Sequence, residues 1–404
     1  MRTKGNVIKD LLNEIHIICK KYDIEYFLTG YPAVLACRGQ DIADKNIASA
    51  DIFMRAQSVR KFISVCIDDL GSDRAIEWMG NCGTFPGLLI RYIDTSTTFY
   101  TPSRLICEKK LGMYVNIHIL RSNTLFDRCL ITIEQAWRNI ALEYPSRGKK
   151  LEPWIRKWFL KCIKKHGIDT FSARLFQKML RIYSYKSNAN KYWIYSGEEN
   201  RAKYYSGHFF KKACFVELGE QRVLVANNSE SLFKIAYDTT DQQDIENAHL
   251  ENGVDFFCDT DISYKALKLE AYKENIKDIN SRWVNKKNKR RGFEKKKRVV
   301  MNTFLRTYYR YYFASYLLDH IDEIENLYSN KKYKEIDEFL LPYVEALKKY
   351  KGIYISERLN DILHSYYGID IDGLLKDIPD SYLKGIKIHD YRGKLIKVIG
   401  GKNE

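Results

Sequence analysis

Three polar side chains within apolar segments are the residues of this sequence best suited to chemistry. Asp51 is the one carboxylate in the segment Ala50–Met54, and Asn116 and His118 alternate with apolar residues in the segment Tyr114–Leu120. Residues two apart in a strand point to the same face, so Asn116 and His118 are expected to share one. With Asp51 they could form the polar wall of a pocket. A solvent-exposed Asp51 at a strand end and a purely structural His118 are the alternatives.

The elements that must position these side chains follow from the spacing of apolar residues. The predicted order is a helix (7–21), a strand (24–28), a short helix (31–37), a polar loop (40–49), a strand (50–54), a helix (59–70) and two strands (88–94 and 114–120). Residues 132–185 are predicted to be helical, followed by strands at 213–218 and 222–225 and a helix at 231–237. The pattern indicates an α+β protein with a mixed sheet flanked by helices.

The composition is that of a globular protein with an excess of positive charge. The 404 residues are 45% hydrophobic and 29% charged, which excludes a disordered or collagen-like chain. The 67 lysines and arginines exceed the 51 acidic residues by 16. An anionic partner is therefore expected, such as a nucleotide phosphate, an acidic membrane surface or a nucleic acid.

The cysteines and the apolar runs indicate where the protein works. The nine cysteines contain no CxxC pair, which argues against a zinc ribbon or a disulfide framework. No secretory signal is recognisable, and no run of about 18 apolar residues could form a membrane-spanning helix. We expect a cytoplasmic protein, with the inner face of the membrane as the alternative site.

The C-terminal region is predicted to be helical from about residue 262 and carries the densest charge. Residues 286–298 hold nine basic positions against the single acid Glu294. Such runs are usually solvated, but this one could also mediate peripheral association with an anionic membrane. Nucleic acid is the less favoured partner, because Phe293 is the only aromatic residue in the run for bases to stack on.

Order and spacing across residues 7–238 resemble the LicD family, which includes bacterial phosphocholine transferases and the fukutin-related ribitol-phosphate transferases. The resemblance is carried by Asp23–Thr29, by Arg38 twelve residues after Tyr26, by Ile47–Met54, by Arg91–Thr95, by Tyr114–Leu120, and by Phe215–Gly219 with Phe233–Asp238. It implies a nucleotidyltransferase-type domain at 1–240, followed by the helical, basic region 262–404.

The same resemblance implies a function and a set of site residues. LicD-type enzymes transfer a phosphorylated small group, such as phosphocholine, from a nucleotide-diphosphate donor to a cell-surface glycan or lipopolysaccharide precursor. Asp51 would bind Mg²⁺ or Mn²⁺, and Ser49, Asp51 and Asn116 occupy the catalytic positions. Arg38 would contact the phosphates of the donor, or alternatively serve as a cation at the end of its helix.

The sequence departs from the family where metal should bind. The family's Asp-x-Asp is Ser49-Ala50-Asp51 here, and the aspartate of its later strand is Asn116, so one of three carboxylates remains. A rearranged site using Asp41, Asp44 or Asp94 is one possibility. A non-catalytic partner protein in polysaccharide assembly is a second, and a basic nucleic-acid-binding protein is a third.

Overall fold

The computed structural model is organised around a mixed β-sheet flanked by helices, which confirms the predicted α+β class. The described residues are 2–145, 151–184, 189–196, 201–242, 244–245, 257–261, 263–266, 270–281, 296–297, 299–300, 320–332, 335, 353–354, 387–389 and 395–398. Two units are distinguished, 1–297 and 298–404. The predicted domain bounds, 1–240 and 262–404, stay a prediction.

The described helices of the first unit are α1 (Lys4–Lys21), α2 (Gly30–Cys37), α3 (Ala56–Cys66), α4 (Pro102–Cys107), α5 (Asp127–Ala141), α6 (Leu151–His166), α7 (Ile168–Ser184), α8 (Ser229–Tyr237) and α9 (Glu270–Ser281). Its described strands are β1 (Phe27–Thr29), β2 (Ser49–Arg55), β3 (Arg74–Glu77), β4 (Leu89–Asp94), β5 (Thr98–Tyr100), β6 (Met113–Ser122), β7 (Lys191–Ser196), β8 (Arg201–Ser206), β9 (Ala213–Leu218), β10 (Gln221–Ala226) and β11 (Phe257–Asp259).

The strands of the main sheet follow the order β3-β4-β6-β2-β1-β10-β9, and β7 and β8 form a hairpin that pairs with the end of β6. β2 is parallel to β6, and β1 is parallel to β10 through the pair Leu28 and Val225. The other neighbours are antiparallel. Parallel and antiparallel pairs therefore alternate around β2, the strand that carries Asp51.

One face of β2 and β6 is lined by buried aliphatic residues, and the opposite face is mixed, with the buried Phe53, Tyr114 and Leu120 beside polar residues. The buried residues on the first face are Ala50, Ile52 and Met54 of β2, with Val115, Ile117 and Ile119 of β6. Helices α1 and α3 both pack against β6. Because side chains alternate along a strand, Asp51 and Asn116 must point to the opposite face.

Helix α1 shows how local sequence sets these packing partners. The Thr3 hydroxyl accepts a hydrogen bond from the backbone N–H of Asn6 and caps the first turn. A stripe of apolar residues at helical spacing is buried along its length: Val7, Ile8, Leu11, Leu12, Ile15, Ile18 and Cys19. The helix ends before Asp23, whose φ of +50° lies in the left-handed region.

The predicted helical character of 132–185 is confirmed among the described residues, which form parts of three helices, α5, α6 and α7. The break between α6 and α7 falls at Gly167, which has a φ of +79° and whose N–H donates to the carbonyl of Ile163 at 2.8 Å. A left-handed glycine that closes the last turn is a common way to end a helix. The hairpin of β7 and β8 follows, and the sequence pattern did not predict it.

The second unit contains both helix and strand among its described residues. These are α10 (Ile321–Ser329) and the short strands β12 (Ile353–Tyr354), β13 (Lys387–His389) and β14 (Leu395–Val398), which pair in that order. Within the described part of 262–404, helix occurs at Glu270–Ser281 and Ile321–Ser329 and strand at these three segments, and the rest of the predicted helical region lies outside the described residues.

Two observations bear on membrane contact. No helix within the described ranges combines the length and apolar character needed to cross a bilayer. Of the basic run 286–298, only Lys296 and Lys297 are among the described residues, and Lys297 is buried with its Nζ 2.8 Å from the hydroxyl of Tyr144. Membrane association through this run stays a prediction.

Candidate functional site

A row of four polar residues crosses the main sheet at the position of Asp51. In the strand register Asp51 lies opposite Thr29 of β1 on one side and opposite Asn116 of β6 on the other, and Asn116 lies opposite Arg91 of β4. Residues directly opposite each other in neighbouring strands share a face of the sheet. The row therefore runs Thr29, Asp51, Asn116, Arg91 along the face that α1 and α3 do not cover.

Asp51 is the centre of this row. Its Oδ1 accepts a hydrogen bond from Asn116 Nδ2 at 2.8 Å, and His118 Nε2 lies 2.8 Å from the same oxygen. The Asp51 side chain is 40% exposed, so solvent and ligands can reach it. The structure thus brings Asp51, Asn116 and His118 together, as the alternation along their strands indicates.

The second carboxylate oxygen of Asp51 faces the beginning of α2. Gly30, the first residue of α2, has a φ of +74°, and a Cβ placed on it would lie 3.5 Å from Asp51 Oδ2 and 3.7 Å from the hydroxyl of Tyr237. Burial and the negative charge of Asp51 raise the pKa of Tyr237 above its usual value. Tyr237 therefore remains a hydrogen-bond donor at neutral pH. It lies beside Gly30, which has no side chain.

Arg91 fixes the orientation of Asn116. Its Nε donates to Asn116 Oδ1 at 2.9 Å, while the amide nitrogen of Asn116 donates to Asp51. The guanidinium of Arg91 also forms an ion pair with the buried carboxylate of Glu108. Asn116 consequently presents N–H rather than oxygen to Asp51, because its oxygen is occupied by a cation.

A second arginine, Arg104, holds Glu108 in place from the buried side. Arg104 Nε lies 2.6 Å from Glu108 Oε2, so Glu108 is held between two guanidinium groups. Both arginines also lie 4.4 Å from the ring centroid of Tyr114, in cation–π geometry. The chain Asp51, Asn116, Arg91, Glu108, Arg104 links the exposed site to the protein interior, and sequence analysis did not identify its last three members.

Ser49 shares the face of Asp51, two residues earlier in β2, but Arg38 lies elsewhere. Arg38 follows the last residue of α2 and donates to Gln242 Oε1 at 2.8 Å and to the carbonyl of Thr240 at 2.6 Å. Eight helical residues span about 12 Å. Since Asp51 lies opposite Thr29, the residue immediately before α2, Arg38 belongs to the opposite end of that helix.

Two of the alternative carboxylates are engaged in other contacts. Asp41 Oδ2 lies 2.7 Å from Lys9 Nζ. Asp94 is buried and pairs with Arg2 and Arg74, and its position three residues after Arg91 places it on the other face of β4. Neither of them joins Asp51.

The donor set decides which metal arrangement fits. Among the described residues, no three His, Cys, Asp or Glu side chains converge in a way that could hold a metal ion. The metal pair held by three carboxylates does not fit, because Asn116 turns its amide N–H toward Asp51. A single Mg²⁺ fits, since this ion keeps most of its waters and is commonly held by one or two carboxylates together with substrate phosphates.

No protein-family model, no curated protein and no solved structure matches this chain. The similarity to the LicD family rests on the residues named above and stays a prediction.

Proposed function

We propose that this chain is a divergent LicD-type phosphotransferase with a nucleotidyltransferase-like fold. It would move a phosphorylated small group, such as phosphocholine, from a nucleotide-diphosphate donor to a glycan or lipid-linked glycan precursor of the cell surface. One observation carries the proposal: the carboxylate of Asp51 and the amino end of α2 meet at Gly30. A metal ligand and a phosphate cradle are thereby combined at one point.

Each part of this junction has a chemical task. The backbone N–H groups of Gly30 and Tyr31 at the start of α2 favour negative charge, so the diphosphate of the donor would lie there. A Mg²⁺ ion bound by Asp51 would neutralise the phosphate oxygens. The acceptor hydroxyl oxygen would form a bond to the phosphorus of the transferred group. The bond from that phosphorus to the bridging oxygen would break, and the nucleoside monophosphate would leave with its electron pair. His118, oriented by Asp51, can accept the hydroxyl proton.

Nucleotide binding tests the proposal. Titration calorimetry of the full chain with cytidine- and uridine-diphosphate donors should show binding that requires Mg²⁺ or Mn²⁺. Asp51→Asn should weaken it about ten- to hundredfold, the effect expected for losing a charged ligand contact. Asp68→Asn, which neutralises an exposed aspartate after α3, is the matched control. Undetectable binding of all these nucleotides in the presence of metal would contradict the proposal.

A second candidate function is that of a non-catalytic partner protein in polysaccharide assembly. The observation that favours it is the amide of Asn116, which stands where a carboxylate is expected and is held there by Arg91. Release of nucleoside monophosphate from the donor separates the two functions. Turnover that disappears in Asp51→Asn supports the transferase, whereas metal-dependent binding without any turnover supports the partner protein.

Gly30 and Gly39 provide a matched pair of substitutions. Both have positive φ, +74° and +67°, but a Cβ at Gly39 would have no neighbour within 4 Å. Alanine at either position should lower the free energy of unfolding by about 1–2 kcal/mol, the cost of a left-handed side-chain-bearing residue. Only Gly30→Ala should also weaken nucleotide binding. Equal binding by the two variants in calorimetry would show that the ligand does not approach Gly30.

A further inference from the structure

Helix α6 has a well-defined inner face. Ile155 and Phe159 are buried, and Phe159 lies in a ring cluster with Trp137 and Phe171 at centroid distances of 6.3 and 5.2 Å. Glu152 is buried on the same side and accepts a hydrogen bond from Asn139 Nδ2 at 3.2 Å. These contacts fix the rotation of α6 about its axis, and with it the residues that point outward.

The outer face of α6 exposes large apolar side chains. Trp154 is 66% exposed and Trp158 49%. Leu160 and Leu151 are also exposed, but they lie on opposite flanks of the helix because nine residues separate them. The two tryptophans are four residues apart and therefore neighbours on the helix surface. Trp158 also packs against the rings of Phe159 and Phe171, at 5.4 and 6.1 Å, which holds it in place. Large exposed apolar surface of this kind usually marks a site of interaction.

The same face carries one sign of charge. Lys157, Lys161, Lys164 and Lys165 are all exposed, whereas Glu152, the only acidic residue of α6, is buried. Lys161 and Lys165 continue the line of the two tryptophans at helical spacing. The outer face of α6 is thus an arc of tryptophan and lysine without an acidic residue.

We propose that the outer face of α6 binds an anionic membrane surface. Tryptophan rings lie favourably at the boundary between headgroups and acyl chains, and lysines extend from there to the phosphates. Nucleic acid is less well matched, because one of the two exposed rings, Trp158, already packs against Phe159 and Phe171. This inference stands on α6 alone and is independent of the proposed function. It places membrane contact outside the basic run 286–298.

Vesicle sedimentation of the full chain tests the proposal. Vesicles of phosphatidylcholine with phosphatidylglycerol should bind the protein, and vesicles of phosphatidylcholine alone should bind it much more weakly, with binding reduced by added salt. Trp154→Ala should weaken binding about tenfold, the effect of removing one large apolar side chain. Lys157→Gln and Lys161→Gln should weaken it about fivefold each.

Controls exist elsewhere on the surface. Phe215→Ala removes an aromatic residue that is also 66% exposed, and Lys211→Gln with Lys212→Gln removes two exposed charges beside β9. All these variants should keep the wild-type melting temperature, and the controls should keep wild-type vesicle binding. Equal losses in control and α6 variants would overturn the proposal. So would unchanged binding by Trp154→Ala, or α6 variants that lose affinity for RNA but not for vesicles.

Discussion

Arg91→Met is expected to lower the free energy of unfolding by about 3 kcal/mol, because removing one member of a buried ion pair leaves the other without its partner. Glu108 would keep only Arg104, and Asn116 would lose the donor to its side-chain oxygen. Urea denaturation measures the loss. Arg60→Met, at an exposed arginine of α3, is the control and should change stability by less than about 0.5 kcal/mol.

The same substitution should affect the candidate site. Without Arg91 the amide of Asn116 is no longer held with its N–H toward Asp51, so nucleotide affinity should fall together with stability. Arg91→Lys separates charge from geometry, since lysine keeps the charge but cannot donate to Asn116 and Glu108 through one planar group. We expect it to lie between wild type and Arg91→Met. An Arg91→Met variant as stable as Arg60→Met would show that the ion pair contributes little.

Arg121→Met should be at least as damaging, with a loss of about 3–5 kcal/mol. Arg121 and Glu134 are both 3% exposed and joined by two hydrogen bonds, Nε to Oε1 at 2.6 Å and Nη2 to Oε2 at 2.7 Å. Arg121 also donates to the carbonyls of Ile119 and Leu88, at 3.0 and 3.1 Å. Its removal leaves the buried carboxylate of Glu134 without a cation and two carbonyls without the arginine donor.

The ion pair of Arg121 and Glu134 allows a double-mutant cycle. Arg121→Met combined with Glu134→Gln removes the stranded charge but keeps an acceptor for the hydroxyl of Tyr183, which donates to Glu134 at 3.0 Å. The double variant should therefore be more stable than Arg121→Met alone. If the double variant loses the sum of the two single losses, the pair does not act as a unit.

The pH dependence of Arg121→Met has a defined sign. Burial raises the pKa of Glu134 above its usual value even with Arg121 present. A carboxyl group with a raised pKa in the folded state costs stability as the pH rises from its unfolded pKa, about 4.3, through the folded value. Arg121→Met should therefore lose less stability, relative to wild type, at about pH 5 than at about pH 7.

The surroundings of Asp51 show which parts of the site could be predicted from sequence. Alternation within one strand placed Asn116 and His118 on a common face, and both contact Asp51. Arg91 and Glu108 were not identified as site residues, because their contacts depend on the register between β4 and β6, which local periodicity does not encode. The sequence signal that could have identified Arg91 is its charge within the otherwise apolar run Leu88–Ile93.

The fold was predictable to a similar degree. The order of α1, β1, α2, β2 and α3 agrees with the predicted order. Helices α1 and α3 each have one buried apolar face, and β1 and α2 are short apolar segments between polar ones. The hairpin of β7 and β8 was missed for the opposite reason. Tyr192, Trp193 and Ile194 are consecutive and all buried, so β7 shows no alternation of apolar and polar residues.

The pairing of β1 with β10 has a consequence for the way the chain folds. Leu28 and Val225 are neighbours in the sheet although about 200 residues separate them in sequence. During synthesis β1 can pair with β2 early, but its other edge stays open until β10 has emerged from the ribosome. Tyr237, which approaches Asp51, emerges later still. The candidate site is therefore completed late in synthesis. Refolding should be slow, because the conformational entropy of closing so long a loop is lost before β1 and β10 can pair.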